Sequence, residues 1–185
     1  MSSDRPSAVV LVEGISDQRA IHALASRRGR DLEAEGIAVV PIGGAHAIGA
    51  ALERFGPRGL DAKLAGLCDA GEEHAFKRGL ERAGLGVELS REDLEALGFF
   101  VCDVDLEHEL VQFVGVEGVL EIVEREGELA RFRTFQKQLA KRDLALDEQV
   151  WRFMWNRKVR YAPLLVEGLD LDNVPRPLEG VLAYV

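Results

Sequence analysis

Acidic residues recur where the apolar runs of this sequence stop. Glu13 closes VVLVE, with Asp17 four residues on; Asp69 closes KLAGLCD; Asp103, Asp105 and Glu107 crowd behind GFFVC. Burying an unpaired carboxylate is costly, so acids in such places need a compensating partner. Carboxylates held together repel and raise one another's pKa unless a cation sits among them. All-oxygen donors favour hard ions such as Mg²⁺ or Mn²⁺, which keep several waters and take substrate phosphates as further ligands. The pattern therefore offers metal-dependent chemistry on a phosphate-bearing substrate. A plainer explanation competes: each acid adjoins a helical pattern, and negative charge at a helix N-terminus is favoured by the dipole.

Convergence of these acids requires a parallel sheet. AVVLVE (8–13), GIAVVPI (36–42), KLAGLCD (63–69) and GFFVCD (98–103) read as strands. Helical patterns alternate with the first three: SDQRAIHALASRRG with Ser16 as N-cap, GGAHAIGAALERFG, and EEHAFKRGLERAG. Ser90 caps a further short turn. The β-α-β rhythm predicts an α/β, Rossmann-like fold, with a mostly parallel four-stranded sheet flanked by helices and all strand C-termini on one edge. That edge is where ligands bind in open α/β sheets. Everything after about residue 105 reads as helix, broken at Gly115 and Gly127, with Asp147 as a cap and Pro163, Pro175 and Pro177 as punctuation. The division expected is a core over 1–115 and a helical part of the same domain over 116–185.

At 185 residues and 47% apolar, the chain is long enough to close one core without repeats or linkers. No apolar run is long enough to cross a bilayer, and MSSDRPS lacks the basic and apolar blocks of an export signal. Cys68 and Cys102 sit singly in apolar runs, which suits reduced buried thiols and a cytoplasmic location. A net charge of -9 argues against holding nucleic acid by overall charge. That charge is unevenly spread: residues 103–128 hold nine acids against Arg125, whereas residues 131–160 hold nine bases against Asp143, Asp147 and Glu148. The basic stretch, interleaved with Phe132, Phe135, Trp151, Phe153, Trp155 and Tyr161, is either a solvated helix face over core aromatics or a groove for nucleic acid.

The order VLVEGISD, PIGG, LCDAGE resembles a TOPRIM domain, the metal-dependent module of topoisomerases, primases and several nucleases. DVDLEHEL, NRKVRYAPLL and VPRPLEGVL resemble the later part of the TOPRIM domain of OLD-family nucleases, so the resemblance spans nearly the whole chain. It implies Glu13, Asp17, Asp69, Asp105 and Glu107 as metal ligands, with Glu13, Asp69 and Lys158 catalytic and Gly43 and Gly44 admitting a substrate phosphate. It further implies two Mg²⁺ or Mn²⁺ ions clamping the attacking water and the leaving oxygen of a DNA phosphodiester.

The departures are specific. Where the family's DxD motif has its second aspartate this chain has Gly71, with Glu72 and Glu73 as candidate replacements from the next turn. No G-x-x-x-x-G-K-[ST] is present, so an ATPase activity of the OLD type has to come from a separate partner protein or be lacking. Three functions remain open: a DNA endonuclease, a TOPRIM module that grips a nucleic acid or an ATPase partner without cutting, and an RNA-processing nuclease. Homodimerisation is compatible with each. His22, His46, His74 and His108 have no zinc spacing and read as surface or packing residues, and no G-x-S-x-G elbow is present.

Overall fold

The computed structural model describes residues 5–185; Met1 to Asp4, the start of the N-terminal segment read above, lie outside them. Four strands, β1 (Ala8–Val12), β2 (Ile37–Pro41), β3 (Lys63–Asp69) and β4 (Phe99–Cys102), form one all-parallel sheet in the order β2-β1-β3-β4. Strand β1 is buried on both faces: Ala8, Val10 and Val12 join one apolar cluster, Val9 and Leu11 the other. This is why its sequence is continuously apolar rather than alternating. Its C-terminus adjoins that of β3, at the point where the strand order reverses, so Glu13 and Asp69 flank the crevice such sheets use for ligands.

One face is covered by α1 (Ile15–Arg27) and by helices from the end of the chain; the other by α2 (Ile48–Phe55), α3 (Glu73–Arg82) and α4 (Arg91–Ala96). Ser90 caps α4 as expected, accepting from the Asp93 N–H. Ser16 does not cap α1: the cap is Gly14, whose N–H donates to Asp17, while Ser16 is buried in the first turn. Asp147 likewise lies inside its helix, behind Ala145.

After β4 come α5 (Leu106–Arg125), α6 (Leu129–Gln136), α7 (Leu146–Trp155), α8 (Lys158–Gly168) and α9 (Arg176–Tyr184). Helix α5 is interrupted at Gly115, whose φ of 77° is a left-handed conformation that glycine adopts without cost. Pro163 was expected to end a helix and instead lies within α8. Its missing N–H leaves the Val159 carbonyl without the usual donor, and Arg19 from α1 donates to that oxygen at 3.1 Å. Cys68 and Cys102 are free, buried thiols, and burial pushes both pKa values up.

Gly66 marks the tightest packing in the sheet. A Cβ there would lie 2.5 Å from the Phe99 ring and 3.0 Å from the Leu11 carbonyl. Phe99 cannot yield, because it is buried and meets Phe76 edge-on at 6.3 Å. Gly66→Ala is expected to destabilise the protein by about 1–3 kcal/mol, the usual cost of overpacking, as read by urea denaturation.

Candidate active site

The crevice edge is built by backbone that ends β1 and β3 side by side. Glu13 leaves β1 half-buried, and its Oε1 accepts the Asp69 N–H at 3.0 Å, tying the two strand ends together. The Glu13 carbonyl accepts the N–H groups of both Gly43 and Gly44, each at 3.1 Å. Those amides were expected to face a phosphate. They are turned inward, and the positive φ values of the two glycines (79° and 111°) make the turn that fixes Glu13.

Asp17 is buried at the first turn of α1 and keeps Oδ2 on the Gly14 N–H at 2.8 Å. Asp105 uses one oxygen, Oδ1, for the His108 N–H at the start of α5 and for the Trp151 indole N–H at 3.3 Å. Glu107, 2% exposed, has its Oε2 at 4.0 Å from Lys158 Nζ. Its Oε1 and the buried Ser16 Oγ complete no hydrogen bond, although the hydroxyl lies close enough to favour the Glu107 carboxylate. Asp103 does not join the group: it points to solvent beside Arg91, at 3.2 Å, while Glu109 accepts its N–H. Glu73 is also turned away, paired with Lys77 and Arg91 at 2.7 Å each. The charge of Glu72 adds to the burial that raises the pKa of Glu13.

The electrostatics follow from that assembly. Burial, with the charges of Glu13, Asp17, Asp105 and Glu107 around it, pushes Asp69 up to about 8 from an ordinary 3.8. Burial pushes Glu107 up to about 7, against the pull of Lys158, and raises Glu13 and Asp17 as well. Burial acts to lower the Lys158 pKa, but Glu107, Asp17, Asp69 and Asp105 together outweigh it and raise it.

The donor set fits a hard divalent cation in kind. All the donors are oxygens, one buried oxygen of Glu107 has no partner, and the mutual repulsion is of the sort a cation relieves. In closeness the set is open: among the described residues, no three Asp, Glu, His or Cys side chains close around a single point. Mg²⁺ tolerates this, because it is commonly held by one or two carboxylates with water and substrate phosphate completing the shell.

Residues 7–70 match the family model "Overcoming lysogenization defect protein-like, TOPRIM domain". That stretch is similar to an OLD-like TOPRIM domain. The match contains the Glu13 and Gly43-Gly44 motifs and stops at Ala70, one residue short of Gly71. The rest of the chain follows the same architecture. The C-terminal region of the Xanthomonas campestris pv. campestris OLD protein superposes with a TM-score of 0.73 at 24% identity, covering 97% of this chain and 92% of that one. The C-terminal region of the Burkholderia pseudomallei OLD protein gives 0.71 at 24% identity, covering 97% and 96%. No curated protein matches the sequence. The helices after β4 therefore have counterparts in OLD C-terminal regions.

Sequence reasoning missed Ser16, Trp151 and Arg19. Ser16 lay in plain view between Glu13 and Asp17, but the expectation that it caps α1 masked it. The pairing of Trp151 with Asp105 spans a separation that no local pattern reveals.

The raised carboxyl pKa values set a pH dependence for the metal-free protein. Folded Asp69 and Glu107 hold protons that the unfolded chain has lost between about pH 4 and 8, so the stability from this difference is complete below that window and lost as pH rises through it. In EDTA the melting temperature should fall by several degrees from pH 6 to pH 8.5. Asp69→Asn should fall less over the same range, and equal falls would show that Asp69 is not the titrating group.

Proposed function

We propose that this OLD-like TOPRIM chain is a metal-dependent nuclease that hydrolyses DNA phosphodiester bonds. The observation that supports it best is the grouping of Glu13, Asp17, Asp69 and Glu107 with Lys158 at the strand-order switch point, an anionic edge with a partly exposed cation beside it. Glu13, Asp69 and Glu107 are the residues to hold Mg²⁺ or Mn²⁺. Asp17 and Asp105 help chiefly by charge and by the backbone turns they fix. The chemistry such ions supply when bound is activation of water and stabilisation of charge on the phosphoryl group.

The chain's own groups have separable tasks. The Glu13 to Asp69 hydrogen bond keeps the two strand ends in register, so both carboxylates meet the substrate from fixed positions. Lys158 stands where a phosphate that reached the edge would find a cation; its raised pKa keeps it charged, and it stabilises negative charge developing there. Nicking of supercoiled plasmid in Mg²⁺ or Mn²⁺, absent in EDTA and lost in Glu13→Ala and Asp69→Ala, is the expected result. Mn²⁺ should also raise the melting temperature of the wild type and not of the double variant, because an ion that binds only the folded state stabilises it.

A second reading, a module that binds nucleic acid or an ATPase partner without cutting, is favoured by Gly71 and by the openness of the donor set. Gly71 separates the two. A Cβ there meets nothing within 4 Å, so Gly71→Asp can be introduced without strain. If the missing carboxylate limits catalysis, this variant should cleave about tenfold faster or more, with DNA affinity changed little. If Glu72 already supplies the carboxylate, Gly71→Asp should add nothing and Glu72→Ala should abolish cleavage. No cleavage by wild type or Gly71→Asp, with metal binding intact, would leave the binding module as the function.

A further inference from the structure

Helix α7 carries two tryptophans one turn apart, and they are used differently. Trp151 is partly buried, with its indole N–H on Asp105 and its ring edge-on to His108 at 5.7 Å. Trp155 meets Trp151 edge-on at 5.5 Å and is 49% exposed. Trp155 borders a cavity of about 370 Å³ whose other walls include Arg19, Asn156, Arg157, Lys158 and Arg160. Two of these cations are already engaged: Arg160 pairs with Glu126 and Glu128, and Arg157 with Glu128. The other two are less tightly held. Arg19 gives one N–H to the Val159 carbonyl and takes part in none of the described ion pairs. Lys158 Nζ lies over the Trp155 ring, 5.6 Å from its centre, and 4.0 Å from Glu107, so one side chain sits on one face of the ring and links it to the carboxylate edge.

An exposed ring bordered by cations is the chemistry that holds unpaired nucleotides, with a base stacked on the ring and phosphates on the cations. A base inside a duplex already has both faces covered and cannot use such a ring. On the far side of Trp151 the surface turns acidic, with Asp147 and Glu148, which limits the favourable ground to the Trp155 side.

From this we infer that Trp155, Arg19 and Lys158 form a subsite for a nucleotide of single-stranded DNA passing along the carboxylate edge. The inference rests on the nuclease reading and specifies its substrate as unpaired at that point. Trp151 is the buttress that holds the Trp155 ring in place.

Binding can be tested apart from cleavage, by fluorescence anisotropy in EDTA with a labelled oligothymidylate, an oligouridylate of equal length and a blunt hairpin duplex. Trp155→Ala should weaken oligothymidylate binding about tenfold, within the range that loss of one stacked base gives, and leave duplex binding within about twofold. Trp155→Phe should restore most of the loss. Arg19→Ala should lower the salt dependence by roughly one phosphate contact. Because Trp155 is exposed, an unchanged melting temperature should accompany its effects, whereas Arg19→Ala also removes the donor to the Val159 carbonyl and should lower the melting temperature slightly. Equal losses for duplex and single strand, or no loss at all, would overturn the subsite. Tighter, Trp155-dependent binding of the oligouridylate would overturn the assignment to DNA. Trp155-dependent binding by a protein that cuts nothing would remove the nuclease reading while the subsite stood; cutting by a protein whose binding ignores Trp155 would do the reverse.

Discussion

Helix α8 lies along α1 through an apolar seam that includes Ile21, Leu24, Tyr161, Ala162 and Leu165, all fully buried. The Arg27 guanidinium closes the far end of the seam by donating to the Val166 and Leu169 carbonyls at 2.7 and 2.8 Å, oxygens that the end of a helix otherwise leaves unsatisfied. With that end held, the first residue of α8, Lys158, falls against Glu107. The magnitudes say which interaction positions which. Each fully buried aliphatic or aromatic side chain contributes about 1.5–3 kcal/mol, whereas a 4.0 Å pair with a lysine 40% exposed contributes far less. Packing carries the charge to the edge; the charge does not pull the helix in.

How far the sequence alone reached depended on the range of the interaction. The four strands and the acids behind them were legible because both are local patterns: a buried parallel strand is continuously apolar, and a carboxylate at its end breaks that run. The direction of each acid was not legible. Asp103 and Asp105 are two residues apart behind the same strand, yet one reaches Arg91 in solvent and the other is buried on Trp151, a choice made by partners on α4 and α7. Gly43 and Gly44 were rightly placed at a turn, but nothing local shows that their amides face the Glu13 carbonyl. Pro163 misled for the same reason, since the donor that makes it tolerable in α8 is Arg19.

The two charge blocks of the second half of the chain were read separately and belong together. Glu128, 5% exposed, ends the acidic block and accepts hydrogen bonds from Tyr161 and Arg131, with Arg157 and Arg160 at 3.5 and 3.4 Å. Arg160 also holds Glu126, and Arg152 holds Glu148. Much of the basic stretch is thereby neutralised within the fold, as the two blocks meet where α5 turns toward α6 and α8. Near the edge, Arg19 takes part in none of the described ion pairs, and Lys158 is held by a single 4.0 Å contact with Glu107.

The margins of the sheet bear on company rather than chemistry. Strand β2 ends in Pro41, which has no amide hydrogen to offer, and β4 is only four residues long. Short margins and a proline are devices that stop one sheet from extending into another. The strands thus stay committed to holding the acids in line rather than to pairing with another sheet.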